Sequence, residues 1–388
     1  MAQASNKRKS KLSLNARMMM MTGILMVVIV AVVVSTFIGV KMQARDAMAI
    51  NVAGRQRMLT QKLTKATLGY IVELREQAEA RQYAGILVQT RKHLAGTIAH
   101  AKQADQFKLT EETLQFAPAA AAKTIADAFT EGTNLTIRQV SQKYRNPGNK
   151  PDAYEAGILA AMASDPKAWR NRDSTEKVVE GGQATMRYMK PLFVGKACLS
   201  CHSTRDKVSD LIRKRYPQDK SFGYSVGDLR GAISVSWPTR LKDTAEYKAE
   251  VAATRKLFSE SLSAMQNGGA VAIGGLDVHL SGIDEPGIRD QMDKLATMWT
   301  EFAQSIDIIF SDKGVEHEQF NTAANIMLTQ NQKLLAEANE LTSLIQSDAN
   351  SRATHITWLQ YVLGAAAAVA FGFTTYFIRA KITAPINQ

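Results

Sequence analysis

Two runs of 23 residues without a charge dominate the hydrophobic pattern, one at 18–40 (MMMMTGILMVVIVAVVVSTFIGV) and one at 356–378 (ITWLQYVLGAAAAVAFGFTTYFI). At about 1.5 Å per helical residue, each is long enough to cross a bilayer. A cleaved signal peptide is the alternative for the first, but its apolar region spans only about 7–15 residues and ends in a small-residue cleavage site. Between the runs, helical periodicity prevails. Ile288, Met292, Leu295, Trp299, Phe302, Ile306 and Ile309 alternate steps of four and three, the seam of a helix packed in a bundle. A second seam runs Phe320, Ala324, Met327, Asn331, Leu334, Ala338, Leu341 and Ile345, with Asn331 its one polar member. Leu59, Leu63, Ala66 and Tyr70 extend the first apolar run outward in the same style, and helices also fit 78–104 and 243–266. A four-helix bundle between two membrane spans accounts for these stretches.

The texture changes at 114–240, which holds seven of the nine prolines. Ile233, Val235 and Trp237 point one way and Ala232, Ser234 and Ser236 the other, as in a strand, and SVGDLRG just before them carries a Gly-Asp turn signal. The expected fold class is therefore a mainly α membrane protein: two transmembrane helices and a bundle with an inserted α/β domain. The expected boundaries are a basic tail 1–17, a first span 18–40, bundle 41–113, inserted domain 114–240, bundle 241–355, second span 356–378 and a final segment 379–388.

Charge refines this picture. The net charge is +12, yet five bases precede residue 40 and two follow 355 with no acid in either end, leaving 41 bases against 36 acids between. A nearly balanced middle speaks against a nucleic-acid partner. Bases-only flanks (NKRKSKLSLNAR and RAKITAPINQ) place both ends in the cytoplasm by the positive-inside rule. Residues 41–355 are then expected outside, in the periplasm of a bacterium whose inner membrane holds the spans.

The only two cysteines, Cys198 and Cys201, sit in KACLSCHS directly before His202. C-x-x-C-H is the attachment signature of a c-type haem, with two thioether bonds to the porphyrin and an axial imidazole from one turn of chain. A zinc site would need a second ligand cluster, which the sequence lacks. A redox dithiol would not need His202, and a disulfide here would close too small a loop to stabilise much. One covalent haem c, with His202 as proximal iron ligand, is the expected cofactor. Met186 and Met189 are candidate distal ligands, each set against ordinary core packing. His93 and His100, seven apart on one helix face, are weaker candidates, and Arg138 and Arg145 are candidate propionate partners.

Three separated blocks, IRQVSQKYRNPGNKPDAYE (137–155), RYMKPLFVGKACLSCH (187–202) and FGYSVGDLRGAISVSWP (222–238), resemble a family of periplasmic haem-c sensor domains with a PAS-like fold, known from bacterial signalling proteins and a cyanobacterial haem protein. The resemblance implies Cys198 and Cys201 as thioether residues and His202 as proximal ligand. In some members a cysteine ahead of an Ala-Pro pair binds the other side of the iron. Here that pair is Ala117–Pro118 and the corresponding position is Thr113.

A second resemblance lies just outside the first span. INVAGRQRMLTQKL (50–63) is similar to the signature helix of pilus-type methyl-accepting transducers and, more remotely, of nitrate sensor kinases, and GGAVAIGG (268–275) to a later part of the transducers. The resemblance implies Arg57 as a candidate anion ligand, with Gly54 letting backbone approach closely, and implies a homodimer. An amphipathic helix above a membrane is the simpler reading of the same residues. RAKITAPINQ resembles the start of a HAMP relay, which implies a cytoplasmic signalling module or partner protein.

The expected function is a membrane-anchored haem-c sensor of redox state or a small gas, the input half of a chemoreceptor or histidine kinase. The alternatives are a tethered monohaem electron carrier and a nitrate-type anion receptor. No hydrolase triad, phosphate-binding glycine loop or paired-carboxylate site is present, so no enzyme is expected.

Overall fold

The computed structural model describes residues 13–239, 241–273, 275–311 and 314–380. The tail at 1–12 and the relay-like residues 381–388 lie outside the described residues. Among the described residues the α-helices are α1 (Leu14–Gln103), α2 (Pro118–Gly132), α3 (Ala153–Ser164), α4 (Leu199–His202), α5 (Asp210–Arg215), α6 (Thr244–Asn267), α7 (Pro286–Ile309) and α8 (Glu318–Ile378). The strands among them are β1 (Thr136–Val140), β2 (Ser174–Glu180), β3 (Gln183–Phe193), β4 (Leu229–Pro238), β5 (Gly269–Ile273) and β6 (Leu276–Leu280). The chain divides into two compact units.

One unit comprises the residues up to Lys65, Glu250–Phe310 and those from Thr322 onward. Its core is made by the periodic seams: Leu59 and Leu63 of α1, Ile288 through Ile309 of α7, and Ala324 through Ile345 of α8 are buried at the apolar positions read from the sequence. Trp299 stacks on Phe258 of α6 with ring centroids 3.9 Å apart. Its indole nitrogen donates to Ser259 Oγ at 3.0 Å, so the largest ring of the seam buries its polar atom with a partner. The polar member of the second seam is also engaged, since Asn331 Oδ1 lies 2.7 Å from the Thr64 hydroxyl. The glycine-rich stretch before α7 folds as the antiparallel hairpin β5–β6.

Within the same unit, α1 and α8 each carry a stretch long and apolar enough to cross a membrane. Both expose large apolar side chains there, including Val33, Phe37, Trp358 and Phe371. The two helices meet at Gly39, where an added Cβ would come within 3.0 Å of Ile356 Cγ2. Just beyond the apolar stretches, Arg352 Nη2 donates to the buried Asp46 Oδ1 at 2.9 Å.

The second unit, Ala66–Ala249 with Ser311–Asn321, is the α/β part. It takes in the C-terminal portion of α1, so residues 66–113, read from the sequence as bundle, belong to the compact unit that holds the sheet. That sheet has four antiparallel strands in the order β1-β4-β3-β2. Gly181 and Gly182, both at positive φ, make the two-residue turn between β2 and β3. Both faces of the sheet are covered. Ile233, Val235 and Trp237, with Met186 and Tyr188, pack on Ala80, Ala84, Leu87 and Val88 of α1 and on Ala122 and Ala126 of α2. Ala232 and Met189 pack on Leu159 and Met162 of α3.

Candidate haem site

Strand β3 delivers the chain to Val194 and Gly195, after which Lys196–Cys198 form one 3-10 turn that continues into α4. Cys198, Cys201 and His202 are therefore presented on a single winding of backbone. Two loops hold this winding. Val194 donates its N–H to Asp228 O at 2.9 Å and accepts from Gly227 at 2.9 Å, while Gly223 and Tyr224 donate to Ser203 O and His202 O at 2.9 and 3.2 Å. Gly223 stands at φ +71°, a conformation that favours glycine, and it turns the 219–224 loop back beneath the histidine.

That loop fixes the imidazole. His202 Nδ1 lies 2.9 Å from Ser221 O and 3.0 Å from Ser221 Oγ. A carbonyl oxygen only accepts, so Nδ1 carries the proton and the lone pair resides on Nε2. A backbone carbonyl on the far nitrogen is the arrangement that orients a metal-ligating histidine. Burial, with Arg230 and Arg145 nearby, holds the imidazole pKa well below its ordinary value and keeps the ring neutral, the form able to bind iron. Behind it, Ser221 N–H donates to Asp219 Oδ1 at 2.7 Å. Asp219 Oδ2 accepts from Arg145 Nε at 2.6 Å. Arg145 Nη2 also reaches Cys201 O at 2.6 Å, joining the cysteine turn and the histidine loop through one guanidinium.

Three arginines from distant parts of the chain gather here. Arg91 of α1 donates to the amide oxygen of Gln139 on β1. Burial, and then repulsion from Arg230, push its pKa down to about 10. Arg230 donates to Ser141 Oγ at 2.7 Å, and its Nε is buried without a partner. Its position depends on Gly231 at φ +152°, where an added Cβ would lie 2.1 Å from Val140 O. The ring of Tyr224 lies between the arginine and the histidine: Arg230 Cζ is 5.5 Å from its centroid, and His202 meets it edge-on at 6.1 Å. Against these three cations stands one buried carboxylate, Asp219, already paired with Arg145.

These residues fit a haem. Both thiols are free and partly buried. Among the described residues no three His, Cys, Asp or Glu side chains converge to cage a metal ion. The two sulfurs and the imidazole thus suit a porphyrin, which takes cysteines at its periphery and histidine at its centre. The surplus of two partly buried positive charges matches two propionate carboxylates.

Of the other residues singled out from the sequence, Arg145 is in the site and the rest are engaged otherwise. Met186 sits in the core under α1 and α2, and Met189 in the core under α3, on opposite faces of the sheet. His93 and His100 are on exposed positions of α1. Thr113 closes a local turn, its hydroxyl donating to Lys108 O at 2.7 Å. Arg138 is occupied by Lys150 O at 2.9 Å and Glu155 at 3.5 Å, whereas Arg145 is in the site. In the helical unit, Arg57 is exposed and reaches Asn339 Oδ1 at 3.2 Å, and Gly54 has open space beside it. Sequence reasoning missed Arg91, Arg230 and Asp219, because each is unremarkable within its own segment.

Fold and site together define a mainly helical chain with two long apolar helices and an α/β unit carrying a Cys-x-x-Cys pair followed by a histidine. Residues 65–238 match the family model described as Tll0287-like. The crystal structure of the cyanobacterial haem-protein Tll0287 is similar, with 26% sequence identity over 44% of this chain and 98% of that one, at a TM-score of 0.36. No curated protein matches.

Proposed function

We propose that this protein is a membrane-anchored haem-c sensor whose PAS-like α/β unit reports redox state or a small gas. On this reading residues 41–355 lie in the periplasm of a bacterium, the chain forms a homodimer, and a cytoplasmic signalling module or partner receives the output. The carrying observation is the single winding that presents Cys198, Cys201 and His202, with Nδ1 tied to Ser221 O at 2.9 Å and Nε2 left to a metal. The solved relative's description as a haem protein supports the same cofactor.

Bound haem would supply a one-electron couple and an iron coordination site. The chain's own residues do the rest. Cys198 and Cys201 would tether the porphyrin, Ser221 and the Asp219–Arg145 pair hold the imidazole, and Arg91 and Arg230 would take the propionates. Arg91 belongs to α1, the helix that also carries the apolar stretch 18–40. A change of charge in the site changes the electrostatic load on a residue of that helix. A bias of about 1–3 kcal/mol between two packings is enough for useful coupling.

The test is the full chain matured with a cytochrome c assembly system. Absorption and resonance Raman spectra of ferric and ferrous protein, with and without CO and NO, establish covalent haem and the number of iron ligands. Spin labels on α8 then report whether reduction or gas binding changes inter-helix distances in the bundle. Absence of covalent haem sinks the proposal at its base. Haem without any state-dependent distance change sinks the sensor role.

A further inference from the structure

We infer that the exposed basic face around the Cys198–His202 winding is a docking surface for an acidic redox protein, an inference that rests on the haem reading above. Between residues 196 and 220 stand seven bases and three acids, which is most of the excess positive charge that the chain carries outside its two basic ends. The acids are already engaged: Asp219 is buried against Arg145, Asp210 pairs with Arg213, and Asp206 is held by the Thr204 hydroxyl. Lys196, Lys207, Lys214 and Lys220 are exposed. Among the described residues none of these four has an ion-pair partner.

These charges ring the site rather than scatter over the unit. Lys196 lies in the same 3-10 turn as Cys198. Lys220 adjoins Ser221, the residue holding His202, and its N–H donates to Tyr144 O at 3.3 Å. Lys143, also exposed, sits 5.0 Å over the ring of Tyr224, whose edge meets His202. Clustered like charges without counterions repel one another and contribute nothing to folding. They do create a local potential that accelerates encounter with an oppositely charged partner by about 10- to 1,000-fold at low salt. An acidic protein seated here would lie beside Cys198 and His202, the residues that would hold the redox group, which favours a redox partner over an anionic lipid surface.

The experiment uses the full chain in phosphatidylcholine nanodiscs, with haem content measured first. Ferrous protein is oxidised by ferricyanide, one electron passing from iron to yield ferrocyanide, and in parallel by the cationic tris(phenanthroline)cobalt(III). The expected result is a ferricyanide rate that falls with salt and a cobalt rate that rises. Combined Lys143→Gln, Lys196→Gln, Lys207→Gln and Lys220→Gln substitution should cut the low-salt ferricyanide rate at least tenfold without slowing the cobalt reaction. Calorimetry with redox-inert hexacyanocobaltate gives a readout independent of electron transfer, and binding should vanish in the same variant. Equal salt slopes for both oxidants overturn the inference. So does lysine-dependent binding to phosphatidylglycerol vesicles without a charge effect on the oxidation rates. A protein purified without haem overturns the haem reading instead, and the calorimetry still decides whether the anion-binding surface exists.

Discussion

Arg145 and Asp219 form an ion pair 2.6 Å long behind the histidine that the sequence marks as an iron ligand, and the same guanidinium grips the carbonyl of Cys201. The Asp219 side chain is wholly removed from solvent, so its loss strands a cation in the interior. Asp219→Ala should cost about 3–5 kcal/mol of stability in the α/β unit. Asp219→Asn, which retains an acceptor for Ser221 N–H, should cost less. Denaturant unfolding followed by far-UV circular dichroism checks both, and a broadened haem absorption band in Asp219→Asn would show that the imidazole has lost its fixed orientation.

The two cysteines and the histidine make separable predictions. Cys198→Ser and Cys201→Ser should each leave one thioether bond, and the double variant none, read as retained or lost haem mass after denaturation. His202→Ala should keep the covalent bonds and change the iron spin state. A double-serine variant that still carried haem through denaturation would contradict the assignment.

Arg91 and Arg230 should set the reduction potential. A buried cation beside the site opposes the more positive ferric form, so removing it favours oxidation. Arg91→Gln or Arg230→Gln should lower the midpoint potential by about a tenfold shift in the oxidised-to-reduced ratio, 59 mV for one electron. Spectroelectrochemical titration measures it, and an unchanged potential in both variants would remove these arginines from the site.

Glu73 of α1 gives a pH prediction. It is fully buried, its Oε1 accepts from Gln77 at 2.8 Å, and its Oε2 has no partner. Burial raises its pKa above the usual 4.5. The folded state therefore binds the proton more tightly than the unfolded chain does. This contribution is fully present below about pH 4.5 and is lost as pH rises through the folded-state value. Glu73→Gln should accordingly raise the melting temperature at pH 7, with the advantage shrinking as pH falls toward 4.5. A constant difference across that range would show that Glu73 stays ionised.

In the helical unit, Trp299→Ala should cost about 3–5 kcal/mol, since it removes the ring stacked on Phe258 from a buried seam. Exposed Arg57→Ala should cost under about 1 kcal/mol, because its hydrogen bond to Asn339 lies at the surface. Thermal unfolding of the two variants side by side tests the contrast.

Local pattern carried what is local. The seams of α7 and α8 were legible because a helix repeats its buried face every three or four residues, and Ile288 through Ile309 and Phe320 through Ile345 are buried where that period puts them. The alternation at 232–237 likewise marked both faces of β4. The Cys198–Cys201–His202 cluster was legible because its spacing is local, and the structure places all three residues on one winding of chain. The β2–β3 hairpin had a local signal, the Gly181–Gly182 pair at its turn. Tertiary structure alone decided the rest. Arg91, Arg145 and Arg230 come from a helix, a loop and a strand end up to 139 residues apart, and nothing in their own neighbourhoods distinguishes them from surface arginines. Folding gathers them, partly buried, in one place, and only there does their uncompensated charge acquire a meaning. Met186 and Met189 show the converse: adjacency in sequence to Cys198 made them ligand candidates, while the pleat of β3 sent them to opposite faces and into two separate cores.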